Sequence, residues 1–104
     1  MVEMKTSELI GKPLDWAVAQ YVDKHVTIED IHWRNYCPSA DWAVGGPLVE
    51  RFKIEVFIRD EEWFAYSSNS TTEDFKGPTP LVSAMRCLVA SRYGDTISIP
   101  KELL

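Results

Sequence analysis

One helix with a start signal and a stop signal at its two ends constrains the fold more than any other feature of the sequence. Thr79 is a good N-cap and Pro80 a good first helical residue, because the N–H that proline lacks is not needed there. Gly94 is a typical stop. Apolar side chains recur between them at helical spacing, so we predict a helix over residues 80–93 with a buried stripe. Two residues are expected to face outward: Ser83 and Arg86.

The clearest strand signal is the alternation of apolar and polar residues over positions 53–59. Residues 60–61 are acidic and suit a turn, and residues 62–66 continue as a second strand, so we predict a β-hairpin. One face of the first strand should pack on the helix over residues 80–93. The members of that face are Ile54, Val56 and Ile58.

The remaining segments complete an α+β pattern. Residues 14–23 are helical in spacing after Pro13, and residues 96–99 form a short final strand. Residues 26–36 are predicted to be extended because Ile and Trp alternate with His and Arg, and residues 67–76 are predicted to be a polar loop. We therefore expect a small antiparallel sheet of three to four strands packed against two main helices, as a two-layer or ABA-like sandwich.

Size and charge narrow the class of protein. A length of 104 residues predicts a single domain spanning residues 1–104. The net charge of −5, with scattered basic residues, argues against nucleic-acid binding. The charged N-terminus and the lack of an apolar run of about 20 residues predict a cytoplasmic protein with no membrane partner. Cys37 and Cys87 should then be reduced thiols.

Catalytic and metal-binding patterns are not recognisable. The two histidines, His25 and His32, lie in no metal-ligand spacing, and a pairing of His32 with Cys37 is not required by their positions. The acidic pairs at residues 29–30, 61–62 and 73–74 all fall in predicted turns, where solvated charge explains them. We expect a protein that is not an enzyme and that uses no metal and no cofactor.

The segment PSADWAVGGPLVER at residues 38–51 joins backbone-breaking residues to a Trp, an acidic group and a basic group. Asp41 is a candidate N-cap for one helical turn. Gly45, Gly46 and Pro47 are then expected to interrupt the helix, with Pro47 starting a second turn.

Aromatic and cationic side chains supply candidates for binding. Trp16 projects onto the polar face of the first helix, and Trp42 follows a carboxylate, so both could stack on a base or grip a protein. The alternative is that both pack into the core. The helix start at Thr79 could hold an anion, although two prolines remove N–H donors there and capping alone explains the residues. The candidate ligand- or partner-binding residues are Trp16, Asp41, Trp42, Gly45, Gly46, Arg51, Thr79 and Arg86.

Three separated stretches of the chain resemble the NinX family of phage and prophage proteins. They are residues 5–9 (KTSEL) with 14–19 (LDWAVA), residues 38–42 (PSADW) with 45–51 (GGPLVER), and residues 77–86 (GPTPLVSAMR) with 89–91 (VAS) and 94–95 (GD). The second half is also similar to small phage domains of the ABA-sandwich type. The resemblance implies a phage or prophage origin and expression in a bacterium, but it implies no activity and no site residues.

Two main hypotheses about function remain, and a third is an enzyme with an unrecognised carboxylate or cysteine site. The first is a non-enzymatic accessory protein that binds a host or phage protein, supported by the small size, the acidity and the lack of catalytic patterns. The second is a binder or sponge for a small anionic, nucleotide-like ligand that counters host defence signalling. It predicts a pocket that joins a Trp to an Arg and to free N–H groups at a helix start. A monomer and a small homo-oligomer are both compatible with the sequence.

Overall fold

Four α-helices and five strands are the main elements of the described part of the protein. A computed structural model describes residues 1–67 and 73–104. The strands form two antiparallel sheets, β1–β5 and β2–β3–β4. The α+β prediction is confirmed, with two small sheets instead of one. In chain order the elements are β1 (Val2–Lys5), α1 (Gly11–Val22), α2 (Ile28–His32), α3 (Trp42–Arg51), β2 (Glu55–Arg59), β3 (Glu62–Tyr66), β4 (Phe75–Gly77), α4 (Pro80–Tyr93) and β5 (Thr96–Ile99).

Helix α4 begins and ends where its signals predict. The Thr79 hydroxyl accepts a hydrogen bond from the Val82 N–H at 3.1 Å. Gly94 follows the last turn with φ +80°, and its N–H donates to the Ala90 carbonyl. The helix packs against β2, β3 and β4, and also against α1, α3 and β5. It is therefore the central element of the fold.

Two residues predicted to face outward from α4 are covered. Ser83 is fully buried and donates its hydroxyl to the Pro80 carbonyl at 2.8 Å. Arg86 is half-buried and hydrogen-bonded. The outward prediction was wrong because a helix with neighbours on nearly all sides buries its small and polar positions as well as its apolar stripe.

The predicted hairpin is confirmed as β2 and β3, joined at Asp60 and Glu61. Both turn residues have positive φ, +53° and +66°, which is the geometry of a type I′ turn. The predicted apolar face is only partly buried. Ile54 is buried and Val56 packs against the core, but Ile58 is 59% exposed. Ile58 adjoins the turn, where the hairpin extends past the core.

The strand predicted within residues 26–36 is wrong, because this segment contains α2. The Thr27 hydroxyl accepts from the Asp30 N–H at 3.1 Å, and the Asp30 carboxylate accepts from the Thr27 N–H at 3.0 Å. This reciprocal capping box starts a helix. Ile28 and Ile31 then share the face that packs on the core, at a spacing of three residues.

The predicted interruption at residues 45–47 is also wrong, since α3 runs continuously from Trp42 to Arg51. Proline disfavours a helical conformation at the residue before it, because the proline ring clashes with the backbone N–H and the Cβ of that residue. That residue is Gly46, which has no Cβ. The helix therefore accommodates Pro47 at the loss of one backbone hydrogen bond.

The termini meet in a two-stranded sheet whose first strand the sequence analysis did not predict. Val2 pairs with Ile99 and Lys5 with Thr96, so β5 confirms the predicted final strand. The loop predicted over residues 67–76 is interrupted by β4, and its residues 68–72 lie outside the described residues. Among the described residues, no helix has the length and apolar character needed to cross a membrane.

Candidate binding cleft

A surface cleft of about 400 Å³ opens where the starts of α1 and α4 meet the segment that joins α2 to α3. Its walls are largely apolar, and Arg34 is the charged residue among them. We call it the Trp42 cleft. It is lined by Ile10, Gly11, Arg34, Ser39, Ala40, Trp42 and the start of α4 with the two residues before it, from Pro78 to Val82.

Trp42 presents its indole at the rim of this cleft. It is the first residue of α3, directly after the N-cap Asp41, whose carboxylate accepts from the Ala43 N–H at 2.9 Å. The side chain of Trp42 is 54% exposed. Its Cε3 atom lies 3.7 Å from the position that a Cβ on Gly46 would occupy, so the ring lies along the first turn of α3.

A buried carboxylate behind the cleft holds one of its lining residues, Ser39, in place. Asp15 of α1 is 1% exposed and accepts a hydrogen bond from the Ser39 N–H at 2.9 Å. Burial raises the pKa of Asp15, while the Ser39 hydrogen bonds and the charge of Arg34 act in the opposite direction. This contact ties the segment between α2 and α3 to α1.

Gly45 allows α3 to approach the same segment closely. A Cβ at this position would overlap the Pro38 carbonyl oxygen and would come 2.8 Å from Leu81 Cδ2. Pro38 is among the fully buried side chains. The two glycines at residues 45–46 therefore have different structural roles. Gly45 permits a close tertiary contact, whereas Gly46 only leaves room for Trp42.

The start of α4 offers few free donors to a ligand in the cleft. The Thr79 hydroxyl is occupied as the cap for Val82 N–H, and the Thr79 carbonyl accepts from the Ser83 N–H. Pro78 and Pro80 have no N–H. Apolar contact is consequently the main interaction that this wall can make.

Three of the predicted candidates lie away from the Trp42 cleft. Arg86 donates to the Leu9 carbonyl at 2.7 Å and to the Lys76 carbonyl at 2.8 Å, and burial lowers its pKa. Arg51 ends α3, with its guanidinium 4.8 Å from the centroid of the Phe52 ring. Trp16 is half-buried and packs against the core. The structure thus brings Trp42 and Thr79 together, with Asp41, Gly45 and Gly46 supporting them.

A second cleft of about 550 Å³ lies beside β3 and β4. It is larger but strongly charged. Two of its lining residues, Lys76 and Glu62, form an ion pair at 2.7 Å, and a third, Asp74, pairs with Arg59 at 3.1 Å. Its rim at residues 73–74 adjoins residues 68–72, which lie outside the described part of the chain. The Trp42 cleft is the better-defined site because hydrogen bonds and close packing hold its walls.

The potential metal ligands and the two cysteine thiols are the remaining reactive groups among the described residues. Among residues 1–67 and 73–104, no three His, Cys, Asp or Glu side chains are grouped as a metal site. Cys87 is buried and Cys37 is half-buried, with the Cys37 Sγ 3.7 Å from the Arg34 carbonyl oxygen.

The phenol of Tyr36 is also perturbed by its surroundings. Burial and the charges of Asp23 and Asp15 raise the pKa of Tyr36 to about 12, so that phenol stays neutral at physiological pH.

The sequence analysis missed two residues of this site. Asp15 lies on the same helical stripe as Val18 and Val22, and a carboxylate within an apolar stripe is a signal for a buried polar contact. No such signal marks Arg34, because the sequence predicts a strand over this segment and the structure has a helix and a turn there. Its position depends on the turn after α2, where its φ is +60°.

The fold and the cleft define a small α+β protein organised around a central helix, with an apolar cleft and an exposed tryptophan at its surface. The family model described as Bacteriophage P22, NinX matches residues 20–92. The chain belongs to this NinX family of phage proteins, which confirms the resemblance seen in the sequence. A comparison with curated proteins found no match.

Proposed function

We propose that this protein is a non-enzymatic phage accessory protein that binds a host or phage protein in the bacterial cytoplasm, using the Trp42 cleft. The observation that carries the proposal is the indole of Trp42, which is 54% exposed at the rim of an apolar cleft. Large aromatic side chains contribute most to protein interfaces when they lie at the centre of the contact.

The surroundings of Trp42 support contact with a protein. Ile10, which also lines the cleft, is 53% exposed, so two large apolar side chains border the same opening. Arg34 is exposed beside them and can form a charged hydrogen bond at the rim. Trp and Arg are the residue types enriched among the residues that dominate binding energy.

The cleft is also held in shape before any partner arrives. Asp15 fixes the loop that carries Ser39, and Gly45 packs against Pro38 and Leu81. A preformed site loses less conformational entropy on binding than a flexible one does. The expected partner segment inserts an apolar side chain into the cleft and places an acidic group against Arg34.

The test is recovery of partner proteins from phage-infected bacteria with tagged variants of the full chain. Trp42→Ala should lose the partner, because it removes the exposed indole without touching the core. Trp33→Ala is the matched control, since Trp33 is 71% exposed and does not line the cleft. Equal recovery of the partner protein by Trp42→Ala and by the wild type would show that the Trp42 cleft does not bind it.

A small anionic, nucleotide-like ligand is the alternative occupant. Its support is the presence of Trp42 and Arg34 in one cleft of about 400 Å³, which is within the range of small-molecule sites. The engaged Thr79 hydroxyl and the two prolines make this wall a weak anion site, so the protein partner is favoured. Native mass spectrometry of the gently purified protein separates the two, because a ligand adds a small mass and a partner adds the mass of a protein.

A further inference from the structure

The outer edge of β2 is the feature from which we draw a further inference. In the order β2–β3–β4 of the described strands, β2 has a neighbour on one side and none on the other. Its five residues pair with β3 from Glu55–Tyr66 to Arg59–Glu62. Among the described residues, no strand or loop hydrogen bonds to its other side. The opposite edge of the sheet is different, because the Lys76 carbonyl of β4 accepts from Arg86.

The tight turn determines which backbone groups of β2 point outward. In a two-residue hairpin the residues flanking the turn, Arg59 and Glu62, form a hydrogen-bonded pair, and the pattern then alternates along the strand. Phe57 therefore bonds inward to Phe64. The N–H and C=O groups of Val56 and Ile58 point away from β3, ready to pair with another strand.

We propose that β2 pairs with β2 of a second copy, antiparallel and centred on Phe57, to join two three-stranded sheets into one six-stranded sheet. In this register Val56 lies opposite Ile58 of the second copy, and each such pair exchanges two backbone hydrogen bonds. Registers centred on another residue leave part of the five-residue strand unpaired. The proposal concerns a surface separate from the Trp42 cleft and does not depend on it.

Charge complementarity selects a second copy as the occupant of this edge. The strand reads Glu55-Val56-Phe57-Ile58-Arg59, so reversing its direction places the acid at one end opposite the base at the other. Each Glu55 faces Arg59 of the second copy, and this happens twice about the two-fold axis. Opposite charges at directly paired positions stabilise a sheet, whereas like charges destabilise it.

The side chains also match across the two-fold axis. Phe57 stacks on Phe64 with ring centroids 5.9 Å apart, on the face opposite the buried Ala65 and Phe75. Pairing at Phe57 brings the two stacks together into a row of four phenylalanine rings, with Phe57 and its symmetry mate as a close, non-hydrogen-bonded pair. The same pairing covers Ile58, which is 59% exposed in the single chain.

Sedimentation equilibrium of the wild-type chain is the first test. We expect the mass to rise with protein concentration from 11.9 kDa to twice that value. A mass that stays at 11.9 kDa up to millimolar concentration overturns the proposal.

Two isoleucine variants of similar exposure then locate the interface. Ile58→Lys places a charged lysine on the sheet edge, which is a device that prevents edge pairing, and should raise the dimer dissociation constant by at least about tenfold. Ile10→Lys, at a residue 53% exposed in the Trp42 cleft, should leave the dimer unchanged. A dimer that survives Ile58→Lys, or that Ile10→Lys disrupts, overturns the proposal.

A charge exchange tests the register. Glu55→Arg places two like-charged pairs across the axis and should weaken the dimer, while Glu55→Arg combined with Arg59→Glu should restore it. Arg59 also contacts Asp74 at the surface, but such exposed pairs contribute little to stability, so the double variant should fold. Circular dichroism checks folding. A folded double variant that remains monomeric overturns the register centred on Phe57.

The same variants separate this inference from the proposed function. Ile58→Lys should still recover the partner protein, because it leaves the Trp42 cleft intact. Ile10→Lys should lose the partner and keep the dimer. Failure of either proposal is therefore visible without the other.

Discussion

At the scale of single residues, Asp15 explains how a polar group can organise an otherwise apolar region. Its carboxylate is buried, yet it receives the Ser39 N–H and lies near Arg34. A buried N–H without an acceptor costs free energy, so the two groups need each other. The residue therefore holds a loop in place, while its charge is disfavoured by its surroundings.

Substitutions of Asp15 should separate these two effects. Asp15→Ala leaves the Ser39 N–H without an acceptor and should lower the free energy of unfolding by about 1–3 kcal/mol. Asp15→Asn retains an acceptor oxygen and removes the buried charge, so at neutral pH it should be at least as stable as the wild type. Urea unfolding of both variants measures the difference. Equal stabilities of the alanine and asparagine variants would contradict this role.

The raised pKa of Asp15 also predicts a pH dependence. The folded state holds the proton more tightly than the unfolded state, whose carboxyl titrates near the ordinary value of 3.8. The contribution of Asp15 to stability therefore falls as pH rises from below 3.8 through the folded-state pKa, and is constant above it. The stability of Asp15→Asn relative to the wild type should rise over the same interval.

At the scale of elements, the two adjacent glycines of α3 give a matched comparison. Gly45→Ala places a methyl group against the Pro38 carbonyl and Leu81, and should destabilise the protein by about 1–3 kcal/mol. Gly46→Ala meets only Trp42 at an ordinary distance of 3.7 Å. Its gain in helix propensity is opposed by the clash with Pro47, so it should stay within about 1 kcal/mol of the wild type. Thermal unfolding of both variants measures the contrast.

The elements that the sequence predicted well are those whose signals are local. Thr79 begins α4 and Gly94 ends it, each through its own hydrogen bonds and backbone angles. The hairpin turn lies where two acidic residues separate two alternating segments. The capping box of Thr27 and Asp30 is an equally local helix signal, and it outweighs the alternation that follows it. The alternation of Val2 to Lys5 is likewise a local strand signal.

The parts of the site that could not be predicted depend on tertiary contacts. Nothing near Arg34 in the sequence indicates that it meets the starts of α1 and α4. The contacts of Arg86 could not be predicted either, because its guanidinium donates hydrogen bonds to the carbonyls of residues 9 and 76, which are remote in sequence. The residue type of Trp42 makes it a candidate, but its 54% exposure depends on the packing of the folded chain.

At the scale of the whole molecule, the two ends of the chain stabilise each other. β1 pairs with β5, and Thr6 donates its hydroxyl to the Gly94 carbonyl at 2.8 Å. Ile99 of β5 is fully buried and Leu103 is 7% exposed, so this corner belongs to the core. The family match over residues 20–92 does not include either strand.

Deletion of residues 1–4 should therefore act mainly at the other end of the chain. The amides of β5 lose their partners and should lose protection from hydrogen exchange, whereas α4 and the β2–β3–β4 sheet keep theirs. Hydrogen exchange followed by mass spectrometry measures both regions in one experiment. Unchanged protection at residues 96–99 would show that the pairing contributes little.

The pairing of Val2 with Ile99 also sets when folding can finish during synthesis. β1 leaves the ribosome before β5, so it cannot pair until residues 96–99 have been made. At about 5–20 residues per second, synthesis of the segment between the two strands takes about 5–20 s, and β1 lacks this partner for that time. In the cell, β1 of the nascent protein is thus accessible to chaperones and proteases until β5 emerges, and its pairing marks the arrival of β5.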